Sequence, residues 1–424
     1  MASRSSRSYT GSSIMKKNIA IITTLDTKGE EAAYIKGLLD AQGDVAILID
    51  VAPLGPPTVE PDYSNEEVAE RGGHRLESLL KGKQRDEIMA AMGEGAANLL
   101  TGLLKAGKVD GVLGLGGNQG SAMAGMAMKA LPIGFPKFLV STVASGDIRP
   151  YVGNKDIAVM FSVSDLVGGP NPVARSILKN ATSALLGMVN GGEAVALTKS
   201  ERTVAISAFG NTQPAVERAM ALLREKGFEV IAFHASGAGG SAMEELIDEG
   251  IINYLLDLTP HELSEEIVGV GAYVPVRPGR MTAAGRKGIP QVVSTGAMEY
   301  LAFGPMESIP ARFRRRKITM HNPYNANVRV SRKEMAAIGK VMAERLNDAK
   351  GPTMVLVPMR GWSIHGREGH PLHDPHGDKI LLDHLKRNLK KDIGYEQVDA
   401  HINDARFAER CVEALIGLTQ ERKI

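Results

Sequence analysis

Residues 18–51 read NIAIITTLDTKGEEAAYIKGLLDAQGDVAILIDV, and the reading of this stretch decides the fold. Two short apolar runs, 18–23 and 44–50, flank a segment at 30–42 whose apolar residues recur at helical spacing. Short apolar runs alternating with amphipathic helices demand crossover connections, and so a parallel sheet. Further strands are expected at 111–115, 137–141 and 157–163, with helices at 84–106 and 173–189.

After Gly191-Gly192 and a polar stretch at 198–203 the pattern restarts, with strands at 203–208 and 229–234 around a helix at 213–226. Ile19, Ala20 and Ile21 fall on Val204, Ala205 and Ile206, and Asp26-Thr27 falls on Asn211-Thr212. GDVAILIDV at 43–51 matches GFEVIAFHA at 227–235, GKVDGVLGLGG at 107–117 matches GIINYLLDLTP at 250–260, and STVASGD at 141–147 matches STGAMEY at 294–300. Diverged repeats of one α/β unit are implied. The expected architecture is two Rossmann-like, doubly wound parallel-sheet domains, 15–197 and 198–424, with a ligand cleft between them. The Ser/Arg-rich segment 1–14 has no apolar stretch and is expected to be a disordered leader.

Composition narrows the function classes. The 424 residues carry a net charge of only +2, so no global field draws the chain to nucleic acid or to an anionic membrane. No apolar run reaches the roughly 18 residues of a spanning helix. The single cysteine, Cys411, rules out an internal disulfide framework and fits a reducing, cytoplasmic compartment.

In open parallel sheets ligands bind beyond the carboxyl ends of the strands, where helix N-termini point. The segment GLGGNQGSA, 114–122, follows a strand and opens a helix, so amides around Gly116, Gly117, Asn118, Gly120 and Ser121 can approach a phosphate; a turn that merely packs helix on strand is the alternative. It is neither a P-loop nor a strict dinucleotide fingerprint, and the next strand runs into Ser141-Thr142 with no acidic residue for a ribose, which disfavours nicotinamide. Between strand and helix, Asp26, Thr27, Lys28 and Gly29 either cap the helix or add a phosphate partner. Thr142, Ser145, Gly146 and Asp147 supply hydroxyls and a carboxylate, and Asp147 is a candidate for magnesium. The second half offers Gly210, Asn211 and Thr212, then FHASGAGGSAMEE with His234, Ser236, Gly237, Gly239, Gly240, Ser241 and Glu244, then Thr295 and Gly296. His321, Asn322 and Arg329 lie after a strand at 318–320, and His234 and His321 are the candidate acid/base residues. Five of the ten histidines fall at 365–384, but their spacing matches no familiar zinc pattern.

Together TTLDTKGEE, GLGGNQGSAMA, LPIGFPKFLVSTVASGDIRPYVG, FHASGAGGSAMEELIDEG, LDLTPHEL and STGAMEY resemble the uncharacterised protein family whose best-known member is the N-terminal ATP-binding domain of the tomato mosaic virus resistance protein. The resemblance runs from Met15 to the C-terminus. It implies a two-part Rossmann-like fold, ATP with magnesium in the cleft, and a homodimer; in the plant protein this region inhibits tobamovirus replication by binding the viral replication protein. Gly116, Gly117, Gly120, Asp26, Thr27, Lys28, Ser145, Gly146, Asp147, His234, Gly237, Gly239, Gly240, Glu244, His321, Asn322 and Arg329 match the family pattern, with Ser121 standing for threonine. The chain departs from it in GGNQGSA, where relatives show GGSGGTA, and in HNPYNANVRVS, where they show HNPTVTLMRTT. The expected function is therefore ATP binding. The alternatives are an enzyme acting on a small phosphorylated or carboxylated metabolite, with Arg329 or Arg360 holding an anion, and a ligand-gated protein-interaction module.

Overall fold

The computed structural model describes residues 16–82, 84–192 and 202–421. The expected leader at 1–14 and the expected join at 197/198 lie outside the described residues. The chain forms two compact units, one up to residue 196 and one from 197.

The first unit is a five-stranded parallel sheet: β1 (Asn18–Thr23), β2 (Val45–Asp50), β3 (Gly111–Gly116), β4 (Lys137–Ser141) and β5 (Ala158–Phe161), in the order β2-β1-β3-β4-β5. Successive strand side chains point to opposite faces, and β1 shows what that means when both faces are covered. Ile19 and Ile21 pack with Leu25, Ile35, Leu178 and Leu185 on one face, while Ala20 and Ile22 pack with Met92, Leu99 and Met123 on the other. Each fully buried isoleucine contributes about 1.5–3 kcal/mol, and such a strand reads as a continuous apolar run rather than an alternating one.

The second unit has a six-stranded parallel sheet of β6 (Thr203–Ala208), β7 (Glu229–His234), β8 (Tyr254–Asp257), β9 (Gln291–Val293), β13 (Thr353–Pro358) and β14 (Gly394–Val398), ordered β14-β13-β9-β8-β6-β7. Counted in chain order, its first five strands repeat the first unit's arrangement, and β14 extends the far edge. Asp50 and His234 hold the same register position, opposite Thr23 and Ala208 respectively.

Between β9 and β13 the repeat is interrupted by β10 (Tyr300–Phe303), β11 (Ile318–Asn322) and β12 (Asn325–Arg329), which form an antiparallel sheet in the order β10-β12-β11. The sequence NANVRV alternates strictly: Ala326, Val328 and Val330 enter a core with Phe303, Phe313, Met335 and Ile338, which leaves Asn325, Asn327 and Arg329 on the opposite face. This sheet was not expected from the sequence, which suggested only a strand at 318–320 with His321 to Arg329 after it. A second difference lies after β1. The helix runs Leu25–Asp40 rather than from residue 30, so Asp26, Thr27, Lys28 and Gly29 occupy its first turns instead of a loop, and its N-cap is Thr24.

Candidate functional site

In the first unit the strand order reverses between β1 and β3, the place where a crevice opens beyond the strand ends. Two helices start there, Leu25–Asp40 after β1 and Asn118–Lys129 after β3. The first is tied down from within. Its Leu25 amide donates to Asp50 Oδ1 at 3.0 Å, and the Ala52 amide donates to the same oxygen at 2.9 Å. Burial pushes the Asp50 carboxyl above its ordinary range. The second helix is open: Gly117 is its N-cap and no side chain caps it, so its first amides keep the unsatisfied donors of any helix start.

The glycines of this loop divide by role. A Cβ on Gly116 would lie 2.7 Å from the Gly120 Cα, and one on Gly120 would lie 3.2 Å from the Leu115 carbonyl oxygen, so both let strand and helix meet. Gly117 is different: a Cβ there meets only Thr142 Oγ1, at 3.5 Å, and its φ of −82° is open to any residue. Ser121 turns inward, donating to the Gly116 carbonyl at 3.2 Å and to Ser141 Oγ at 2.6 Å. Gly29 packs against Thr58. Asn118, Thr27, Lys28 and Thr142 remain at the surface or half-exposed, and among the described residues Lys28 makes no ion pair. Ser145, Gly146 and Asp147 are exposed, and Arg149 grips Asp147 through Nε at 2.9 Å and Nη2 at 2.8 Å, holding its carboxyl down at about 2.

The glycine-rich segment of the second unit looked like a matching cradle, but the structure fills it. The helix Ala238–Asp248 begins after β7, and the amides of Gly237 and Gly240 donate to Glu262 Oε1 at 2.6 and 3.1 Å. Glu262 is fully buried and also accepts from Arg280 Nε at 2.7 Å. Arg280, 1% exposed, further bonds Asp257 through both Nη atoms at 2.8 Å and Glu244 at 3.2 Å. Glu244 takes the amides of Met281, Thr282 and Ala283 at 2.5, 3.2 and 2.7 Å. These expected ligand groups are therefore spent on one another. Ser241 donates to the Gly237 carbonyl, Ser236 to the His234 carbonyl, and Thr212 pairs with Thr259. Gly239 and Gly296 sit where a Cβ would strike the carbonyls of His234 and Leu258, at 2.0 and 2.2 Å, and Thr295 is buried beside Gly296.

Five other expected residues do converge. Gly210, Asn211, His234, His321 and Asn322 line a cavity of about 180 Å³, together with Phe209, Tyr273, Ala302, Asn325 and Asn327. It lies at the carboxyl ends of β6 and β7, walled by the polar face of the inserted sheet. A register shift between Met320 and Asn322 leaves His321 unpaired, and this bulge lets two consecutive residues, His321 and Asn322, reach one cavity. Phe209 stacks on His261 at 4.9 Å and tilts against His234 at 5.2 Å. Removal from water holds His234 below its ordinary pKa, which keeps the imidazole neutral at physiological pH. Behind Phe209, burial of His261 is outweighed by Glu265 at 3.1 Å and the Ala297 carbonyl at 2.6 Å, so its pKa is raised. Glu265 also takes the amides of Tyr273 and Ala302 at 2.5 and 2.6 Å, fixing two walls of the cavity.

At the inner end, Asn211 Nδ2 donates to Tyr300 Oη at 2.8 Å, and Tyr300 is the cross-strand partner of Arg329. Arg329, 4% exposed, gives Nη2 to Asp378 and to the Asp374 carbonyl; its Nε and Nη1 have no hydrogen-bond partner among the described residues. The same holds for Glu299 Oε2 and His365 Nε2. Ser363 donates to the other Glu299 oxygen, and burial pushes the Glu299 carboxyl up to about 7 against the pull of Arg329. The His365 ring lies 6.0 Å from Tyr300 and 6.2 Å from His321. Arg360, considered as an anion holder, is instead exposed and paired with Asp399 at 2.8 and 2.6 Å. Among the described residues no three His, Cys, Asp or Glu side chains form a metal-ligand group, including the histidines at 365–384.

Sequence reading missed Phe209, Tyr273, Asn325, Asn327 and Glu299, and noted His365 only among the clustered histidines at 365–384. The period-2 pattern of NANVRV was the available signal for two of them; the others come together only through tertiary structure.

Comparison with known proteins agrees with this architecture. A UPF0261 protein of Clostridium tetani is 40% identical over 408 residues, covering 96% of this chain and 100% of that protein. One from Rhizobium meliloti is 37% identical over 400 residues, 94% of this chain and 98% of that protein. The ToMV resistance protein Tm-1 of Solanum lycopersicum is 35% identical over 319 residues, 74% of this chain and 42% of that protein. With the N-terminal domain of the uncharacterised protein family UPF0261 matching residues 17–194 and its C-terminal domain matching residues 201–419, the chain belongs to that family.

Proposed function

We propose that this protein is a cytoplasmic nucleotide-binding protein that takes ATP with magnesium, its phosphates held in the first unit at the Asn118–Lys129 helix start. The observation that carries this reading is the uncapped helix N-terminus behind Gly117, set at the point where the strand order reverses. Lys28, Thr27 and Thr142 stand on neighbouring strand-end segments and supply charge and hydroxyls. The resemblance to the resistance-protein family supports ATP as the nucleotide and a homodimer as the assembly. Magnesium would arrive with the phosphates, its remaining ligands water. Asp147 does not fit as a resident ligand, because Arg149 already occupies both of its oxygens. Among the described residues no helix is long and apolar enough to cross a membrane.

The test is a melting curve and calorimetric titration of the full chain with ATP, ADP and AMP in magnesium. A ligand at a hundredfold its Kd stabilises the folded state by about 2.7 kcal/mol. Gly117→Val should abolish this stabilisation while the free protein melts normally, since a side chain there has room but screens the amides. Unchanged curves with all three nucleotides would remove the reading.

A further inference from the structure

We propose that the second unit carries a separate site for a small hydroxy- or oxo-carboxylate, bound with its carboxylate between Arg329 and Glu299 and its polar remainder against Asn327, His234 and His321.

The argument starts from the alternation of β12. Asn325, Asn327 and Arg329 share one face of the strand, and the first two line the cavity. Arg329 is the next residue along that face, and Tyr300, its cross-strand neighbour, is bonded to cavity-lining Asn211. A buried guanidinium with two unsatisfied N–H groups is costly, as is a buried carboxyl oxygen without a donor. Here both occur in one place: Arg329 Nε and Nη1, Glu299 Oε2 and His365 Nε2 are buried and unpartnered among the described residues. Arg329 and Glu299 feel each other electrostatically but share no hydrogen bond, so each keeps bonding capacity for a third group.

The charge present selects the ligand. Arg329 is already shared with Asp378, and Glu299 adds a second acid. One guanidinium shared with Asp378 leaves the site without net charge when Glu299 carries its proton, so a monoanion meets less repulsion than a dianionic phosphate. A protonated Glu299 also donates to the bound carboxylate, as paired carboxyl groups do. Size agrees for the polar remainder, because the cavity lined by Asn327, His234 and His321 holds about 180 Å³, below the roughly 300–1,000 Å³ of drug-sized sites. The amide of Asn327 and the neutral ring of His234 are matched to hydroxyl or keto oxygens.

Binding in this form takes up a proton at Glu299. The groups facing that carboxyl are Arg329 from β12, Asp378 from the helix Pro375–Asn388, and the Ser363 hydroxyl, with the His365 ring two residues further on. Affinity should therefore fall as pH rises above about 7, by up to about tenfold per pH unit.

The experiment titrates the full chain with the monocarboxylates lactate, pyruvate, glycolate and glycerate, with inorganic phosphate as a parallel arm, from pH 6 to 8.5. At least one carboxylate should bind saturably. Asn327→Ala and Arg329→Lys should weaken it at least tenfold, and Glu299→Gln should retain binding while flattening its pH dependence. Absence of binding by every carboxylate, indifference to Asn327→Ala, or tighter binding of phosphate than of any carboxylate would each overturn the proposal. ATP stabilisation must survive in Asn327→Ala and carboxylate binding in Gly117→Val, so failure here and failure of the nucleotide reading are separately visible.

Discussion

Replacing Arg280 by methionine would test whether the second glycine-rich segment is an internal cap rather than a ligand cradle. The guanidinium is 1% exposed and holds Asp257, Glu262 and Glu244, which in turn hold the amides of Gly237, Gly240, Met281, Thr282 and Ala283. Removing one partner of a buried ion pair costs about 3–5 kcal/mol. Three carboxylates lose their cation here, but protonation limits the damage, so we expect a loss of about 4 kcal/mol near neutral pH. The sign of the pH effect is fixed. Burial already raises the Glu244 carboxyl against the pull of Arg280, and losing that cation raises it further above its unfolded value, so the variant is least impaired at low pH and loses stability as pH rises. Trp362, the only tryptophan, is buried in the second unit, so its fluorescence during urea unfolding reports on this unit alone. A loss under about 1 kcal/mol, or a deficit that deepens as pH falls, would refute the reasoning.

Gly240→Ala should destabilise the same unit by about 3 kcal/mol, because its Cβ would lie 1.8 Å from Glu262 Oε2 and evict that carboxylate from both amides and from Arg280; urea midpoints by tryptophan emission will show it. Cys411 is fully buried and its thiol is pushed far up by burial, so a thiol reagent should leave the native protein unlabelled and react only across the unfolding transition. Asp147→Ala should leave both the melting temperature and the ATP-dependent shift unchanged, as among the described residues its only partner is the exposed Arg149.

The strands were legible because the central parallel strands are covered on both faces: NIAIIT and TVAISA announce themselves as apolar runs, and β1, β4, β6 and β7 fall at the expected residues. The repeat was legible for the same reason. The start of the first helix was not, since DTKG looks like a loop; what makes it helical is Leu25 buried at the first position and Asp50, from the next strand, taking its amide. Glu262 was equally invisible, because nothing local marks a carboxylate that will cap a helix lying earlier in the chain. HNPYNANVR was read only as following a strand at 318–320, although its alternating end carried the pattern of a half-buried strand. The candidate site was therefore half legible: its histidines, Asn211 and Arg329 stood out as strand-end polar residues, while Phe209, Tyr273 and Glu299 required the tertiary fold.

The antiparallel insert also bears on how the second sheet assembles. In the first unit Phe138 of β4 pairs with Ala158 of β5, a short excursion; in the second, Gln291 of β9 must find Thr353 of β13 across the whole insert. Loop closure grows only logarithmically with length, so the longer excursion costs about 1 kcal/mol of stability, but non-local pairing slows folding far more than it weakens the product. The hairpin of β11 and β12 pairs residues close in sequence, so this part of the insert needs no long-range closure of its own. At so small an equilibrium cost the second unit carries a polar wall that the five-stranded sheet of the first does not have among the described residues.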